Sequence, residues 1–233
     1  MRRCVISQPR LFPGLHYLHR MLVADVFVVF DSVQFNPRHE ENRAKVKTAD
    51  GPKWLTVPMQ KISRDQLICD TRIADQPWQE KSIRMLENLY GKSPHFDDNI
   101  ERITAIINGD HKTLTDLDVA SWQPALQDLA PHAEFVMATD LDVDGAGSEL
   151  LLNICETLDA DAYLSGEFGR TYLDVDAFNE RGIGVEYHQY TYPEYPQRYG
   201  PFEPYLSYLD MLFNVGLDRE RVLNEFDNDR GNR

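Results

Sequence analysis

The sequence predicts an α/β fold: a parallel or mixed Rossmann-like sheet, with a helical insertion and a β-hairpin lobe. Three observations predict it. The chain opens with two apolar runs flanking a helix-like stretch. A long middle segment carries apolar residues at helical spacing. Strand-like and helix-like segments then alternate again towards the C-terminus. Alternation of this kind is the pattern of a parallel sheet covered by helices.

Each element follows from local pattern. Cys4–Ser7 is a short apolar strand. Leu15–Ala24 places Leu15, Leu18, Met21 and Leu22 at helical spacing. Asp25–Asp31 is a continuous apolar run closed by an acid, as expected of a strand buried on both faces. These three form a βαβ unit. Arg43–Val57 holds two strand-like runs around Asp50-Gly51-Pro52, a hairpin signal. Leu67–Ile73 adds a further strand. Pro77 opens a helix over Trp78–Tyr90, and Phe96–Ile107 and Leu114–Leu129 repeat the helical spacing. Then come a strand at Glu134–Ala138, a helix at Ser148–Leu158, a strand at Asp161–Leu164, a helix at Thr171–Arg181 and a strand at Gly184–Gln189. A Pro/Tyr-rich loop leads to two short helices near Leu206–Phe213 and Arg219–Phe226. No repeat or linker interrupts the pattern, which gives one α/β domain over 1–233 with its helical insertion at roughly 78–129.

Composition narrows the function class. The 233 residues suffice for a sizeable core, and 27% charged against 42% hydrophobic residues is a globular balance. No apolar run approaches the ~20 residues of a membrane span. The start, MRRCVISQPR, lacks a signal-peptide apolar region. Cys4, Cys69 and Cys155 stand singly, as reduced thiols do, so a cytoplasmic protein is expected (the host cytoplasm if the source is viral). A net charge of −14 argues against a non-specific nucleic-acid coat, which is basic. Within that acidic chain Arg38, Arg43, Lys45, Lys47 and Lys53 cluster. Neither GxSxG, HExxH, zinc-type Cys/His spacing, a P-loop nor GxGxxG occurs.

Two strand–turn–helix junctions are candidate anion cradles, because helix N-termini present unpaired N–H groups and a positive dipole end. The first is SQPRLFPGLHY, Ser7–Tyr17. Gln8 follows the strand, Pro9 and Pro13 stiffen the turn, Gly14 admits close approach, and His16 offers a donor. Its use by a nucleotidylyltransferase is one reading, weakened by the missing HxGH. The second is SGEFGRTYLD, where Ser165, Gly166, Arg170 and Tyr172 surround a turn leading into a helix. Asp31 ends the second strand, the usual place for a metal-binding or base carboxylate, and Gln34 follows in the same loop. Asn42 and Arg43 supply an amide and a guanidinium. Arg43, Lys45 and Lys47 at period two share one strand face, where an anion would relieve their repulsion. Tyr195 and Gln197, in a Pro-rich loop, can stack on or bond a planar ligand.

The segments QPRLFPGLHYLHRMLVADVFVVFDSVQF, Asn42-Arg43, WLTVP at Trp54–Pro58, YLSGEFGRTYLD, Tyr195–Gln197 and PFEPYLSYLDMLFNVG at Pro201–Gly216 resemble, in order, the motifs of the WbqC-like family. The family's PWxGYF is PGLHY here, so its Trp is missing and the Gly is shifted. The resemblance implies an amino-acid transferase. Members in O-antigen gene clusters are proposed to transfer glycine to a sugar. Relatives are similar to phage amino acid:DNA transferases, which displace phosphate or pyrophosphate from an activated 5-hydroxymethyl base. It implies glycine and a phosphorylated acceptor, either a DNA base or a nucleotide sugar, as partners. Asp31, Gln34 and Arg43 are then expected in catalysis, and the remaining residues in binding. No cofactor or bound metal is expected, with Mg²⁺ left open. No membrane partner is expected, and the oligomer, a homodimer among the options, is also open. A non-catalytic binding subunit is the contrasting reading.

Overall fold

The structure, a computed structural model, describes residues 1–37 and 39–224. Along the chain run β1 (Arg3–Ser7), α1 (Leu15–Val23), β2 (Val26–Val29), β3 (Arg43–Thr48), β4 (Gly51–Thr56), α2 (Trp78–Tyr90), α3 (Phe96–Ile107) and α4 (Leu114–Leu129). There follow β5 (Glu134–Met137), α5 (Gly147–Thr157), β6 (Ala162–Ser165), α6 (Val175–Glu180), β7 (Gly184–Tyr187), α7 (Tyr208–Val215) and α8 (Arg219–Leu223). These elements form two compact units. The first comprises Met1–Gln8, His19–Ser32 and Pro131–Tyr190. The second comprises Pro9–Leu18, Val33–Ala130 and the described residues from Thr191.

In the first unit, five strands pair in the order β5-β2-β1-β6-β7, and every pairing is parallel. The fold is therefore α/β with a parallel sheet. β2 and the Cys4–Ile6 centre of β1 are apolar because a parallel sheet covered on both faces has no wet side. The β1–β2 crossover moves to one side of β1, whereas β6 and then β7 are added on the other. Right-handed crossovers put helices of opposite-going connections on opposite faces. Accordingly Cys4, Ile6, Val26 and Val28, alternate residues of one face, pack with Leu151, Leu152 and Cys155 of α5 and Phe178 of α6.

In the second unit, β3 and β4 form an antiparallel hairpin in register Lys45↔Trp54. Its two-residue turn is Ala49-Asp50, and Gly51, at φ +97°, opens β4. That is one residue earlier than the Asp-Gly reading. Helix α4 starts with a capping box: Thr113 Oγ accepts from Asp116 N–H at 3.1 Å, and the Asp116 carboxylate accepts from Thr113 N–H at 2.9 Å.

Two elements differ from the sequence reading. Leu67–Ile73 is not a strand. Among the described residues it makes only the single bridges Gln34↔Leu67 and Met59↔Ile73. The apolar content there serves a side-chain cluster, in which buried Ile68 meets Phe35 and Leu114. The helix expected at Thr171–Arg181 begins at Val175, after a 3₁₀ turn over Glu167–Thr171, because Asp174 caps it by accepting from Ala177 N–H at 3.2 Å. Phe226, expected at the end of the last helix, lies outside the described residues.

Candidate functional site

In open α/β sheets the strand order reverses at one point, and ligands bind at the carboxyl ends there. In the first unit that point is β1/β6. Ser7 ends β1 and Ser165 ends β6, and both are buried. Arg20, in the last turn of α1, is only 8% exposed. Its Nη2 donates to Ser7 Oγ at 3.1 Å. A β-carbon on Gly166 would stand 3.9 Å from its Nη1. The guanidinium thus reaches both strand ends at the switch point.

Beside it lies a pair of imidazoles. His19 Nδ1 and His188 Nε2 are 2.9 Å apart. His188 follows β7, its N–H donates to Ser165 O at 2.8 Å, and its ring stacks on Tyr190. Burial first, and then the charges of Arg20 and His19, push His188 down to about 3. It is therefore a neutral imidazole at neutral pH. A rigid guanidinium beside the neutral His188 and the Ser7 hydroxyl is suited to an anion with several acceptor oxygens.

The sequence-predicted residues divide between the units. In the first, Asp31 is buried just beyond β2, and its two carboxylate oxygens accept from Thr139 N–H at 3.3 Å and Thr139 Oγ at 3.2 Å. Burial raises its pKa against those bonds. Gln8, half-buried, directly follows Ser7. Ser165 Oγ donates to Gly166 O at 3.0 Å. A β-carbon on Gly169 would fall 2.1 Å from that hydroxyl, so this glycine serves close packing of the loop. Arg170 pairs with Glu167 at 2.6 Å and lies over the Tyr187 ring at 3.8 Å. Tyr172 is exposed, with its ring 5.9 Å from that of Phe168.

In the second unit, Lys47 and Gln197 meet. The buried Lys47 Nζ donates to Gln197 Oε1 at 2.9 Å and to Pro201 O. Near them Asp210, which the sequence did not single out, accepts from Tyr90 Oη at 2.9 Å and from Tyr195 Oη at 3.0 Å. Burial raises its pKa, and those bonds and the Lys47 charge oppose the rise. His16 contacts the Tyr192 hydroxyl through Nδ1 and Arg10 through Nε2, and Arg10 pairs with Glu40. Arg43 lies over the Trp54 ring at 4.2 Å and donates to His39 O at 3.0 Å. Asn42 donates to Val57 O at 2.9 Å, Gln34 donates to Arg64 O at 2.6 Å, and Pro9 is buried. Of the period-two cations, Arg43 is therefore spread on an aromatic ring and Lys47 is held by carbonyl groups.

Sequence reasoning missed Arg20, His19, His188 and Tyr190. One signal was available. LHYLHRMLV is buried at seven of its nine positions, and its polar side chains are only His and Arg. A helix covered on all sides keeps such residues only where they have partners.

Among the described residues no helix is long and apolar enough to cross a membrane, and no group of three or more His, Cys, Asp or Glu side chains is placed to hold a metal. The chain is 31% identical over 221 residues to an uncharacterized protein of Mycobacterium tuberculosis, Rv1507c, covering 94% of this chain and 96% of that one. Residues 8–222 match the WbqC-like protein family, and the chain belongs to that family.

Proposed function

We propose that this protein is a transferase joining the amine of an amino acid, glycine in the first instance, to an acceptor activated as a phosphate or pyrophosphate ester. The acceptor we favour is the activated 5-hydroxymethyl pyrimidine of DNA. The observation that carries the reading is Arg20, nine-tenths buried at the switch point and reaching Ser7 and Gly166. Family membership supports the same class.

The chemistry assigns a role to each group. The amine lone pair attacks the acceptor CH₂ carbon. A C–N bond forms, and the C–O bond breaks with its electron pair leaving on the phosphate. Arg20 receives that anion, and an oriented donor at developing charge is worth ~10²–10³ in rate. Asp31, whose burial makes it more basic than an ordinary carboxylate, takes the proton that the ammonium sheds before attack. Ser7, Ser165 and the neutral His188 orient the ester oxygens. Holding amine and carbon in line supplies much of the remaining barrier reduction. The −14 charge disfavours gripping a duplex, so the base would be held flipped out, through its own phosphates.

Titration calorimetry with inorganic pyrophosphate tests the anion site directly. Wild type should bind it, and Arg20→Gln should not. Labelled glycine offered with DNA carrying 5-pyrophosphorylmethyl-uracil should give a glycinyl nucleoside, reduced ~10²-fold or more by Arg20→Gln at unchanged Tm. Folded wild type that binds neither phosphate nor pyrophosphate would sink the reading. Glycine transfer only to a nucleotide sugar would keep the reaction class and replace the acceptor.

A further inference from the structure

The segment Arg10–Phe12 of the second unit is tied on two sides. Leu11 N–H donates to Glu40 O at 3.1 Å. On the other side Phe12 N–H donates to Ser121 Oγ at 2.9 Å, and Trp122 Nε1 donates to Arg10 O at 2.7 Å. Phe12, almost fully buried, holds φ at +39°, a conformation that a non-glycine residue keeps only when its surroundings dictate it. These bonds bring the Glu40–Asn42 stretch and the Asp118 face of α4 to the same short segment.

That region contains buried oxygens with no hydrogen-bond partner. Asp118 is 0% exposed, and neither of its carboxylate oxygens has one. Glu41 is 1% exposed, and its Oε2 has none. Thr115 Oγ, 5% exposed and three residues before Asp118 on the same helix face, has none either. Nor has Asn42 Oδ1, at 7% exposure. The charge that Asp118 feels, after burial itself, is that of Glu41, so the two carboxyl groups are within electrostatic reach. Of the neighbouring cations, Arg10 pairs with Glu40, and Arg43 lies over the Trp54 ring and donates to His39 O; their charges and the His39 ring, 3.9 Å from Glu41 Oε1, act on Glu41, whereas among the described residues the only charge that acts on Asp118 is that of Glu41.

An uncompensated buried carboxylate costs several kcal/mol. Orphaned buried polar atoms in a native fold call for a specific cause, such as a bound ion. We infer that Glu41 and Asp118, with Thr115 Oγ and Asn42 Oδ1, form a site for a hard, oxygen-seeking cation in the second unit. All-oxygen donors with two carboxylates suit an alkali or alkaline-earth ion and not zinc, which prefers nitrogen and sulfur. The acidic chain raises the local cation concentration. Such an ion would fasten α4 to the Glu40–Asn42 stretch.

The test is thermal unfolding of the full chain after chelator treatment, with MgCl₂, CaCl₂, MnCl₂, KCl or NaCl added singly at constant ionic strength. At least one cation should raise Tm by a few degrees, saturating with concentration, because it binds only the folded state. Asp118→Asn should fold and lose that response. Thr115→Val should keep it with a midpoint ~10-fold higher, in the range seen when an oxygen supporting a metal site is lost. If Asp118→Asn does not fold, Glu41→Gln serves the same comparison. No cation moving the Tm of wild type would overturn the inference and leave buried water or protonated carboxyl groups as the occupants. An equal response in wild type and Asp118→Asn would overturn it too, by placing the ion elsewhere.

Discussion

The two units handle buried polarity differently. In the parallel-sheet unit, the polar groups at the strand ends have partners close at hand: Ser7 with Arg20, Asp31 with Thr139, Ser165 with Gly166 O. In the helical unit, Asp210, Tyr90 and Tyr195 form a hydrogen-bonded network that the Lys47 backbone N–H joins at Tyr90 Oη, while Glu41, Asn42, Thr115 and Asp118 keep unmatched oxygens. A parallel sheet brings its ends together by rule, so a few side chains serve a crevice whose backbone is already bonded. Helices and a hairpin impose no such edge, and buried polarity there has to be matched side chain by side chain. The two units are thus expected to fail in different ways when one group is removed.

The largest effect should come from the network. Asp210→Ala leaves two buried tyrosine hydroxyls without their carboxylate acceptor and removes the negative charge that faces Lys47, and should cost ~3–5 kcal/mol in chemical denaturation. A loss below ~1 kcal/mol would show that the network is not where the helical unit gets its stability. Next comes acid sensitivity in the sheet unit. His188 titrates at about 3 when folded against 6.5 when unfolded, so the unfolded chain binds the proton first. Stability is then complete above pH 6.5 and falls as pH drops towards 3, with a slope approaching ~1.4 kcal/mol per pH unit. Arg20, His19 and Tyr190 surround the ring and stay in place in His188→Asn, whose acid limb should be flatter. Parallel acid limbs would remove His188 from the account.

Smaller effects sharpen the contrast. Gly169→Ala drives a β-carbon onto Ser165 Oγ and should cost ~1–3 kcal/mol, with faster amide exchange confined to the β6 loop. Wild-type stability would mean that the loop moves aside freely. Thr113→Ala removes one half of the α4 capping box and should cost ~1 kcal/mol, read as fraying of the first turn of α4.

Legibility differed in the same way. Helices α2, α3 and α4 were readable to the residue, because each carries apolar residues at helical spacing, the first of them opened by Pro77. The parallel sheet was readable from its apolar runs, whereas Leu67–Ile73 was not, since an apolar run looks alike whether it feeds a ladder or a cluster. Lys47 and Gln197 were each singled out locally, but their bond spans 150 positions. Arg20 escaped notice because α1 is buried nearly all round and shows no polar face to read. Asp118 escaped because an acid in mid-helix ordinarily points at solvent.

The sequence alone therefore determined the α/β class, the strand–helix order, the hairpin and the family, because periodicity and short motifs are local properties of the chain. Only the tertiary structure decided which strand ends flank the crevice, that Arg20 occupies it, and that Asp118 is sealed from water within electrostatic reach of Glu41. These depend on which distant segments exclude solvent from a side chain, and burial changes the energy of a charge far more than its neighbours in sequence do.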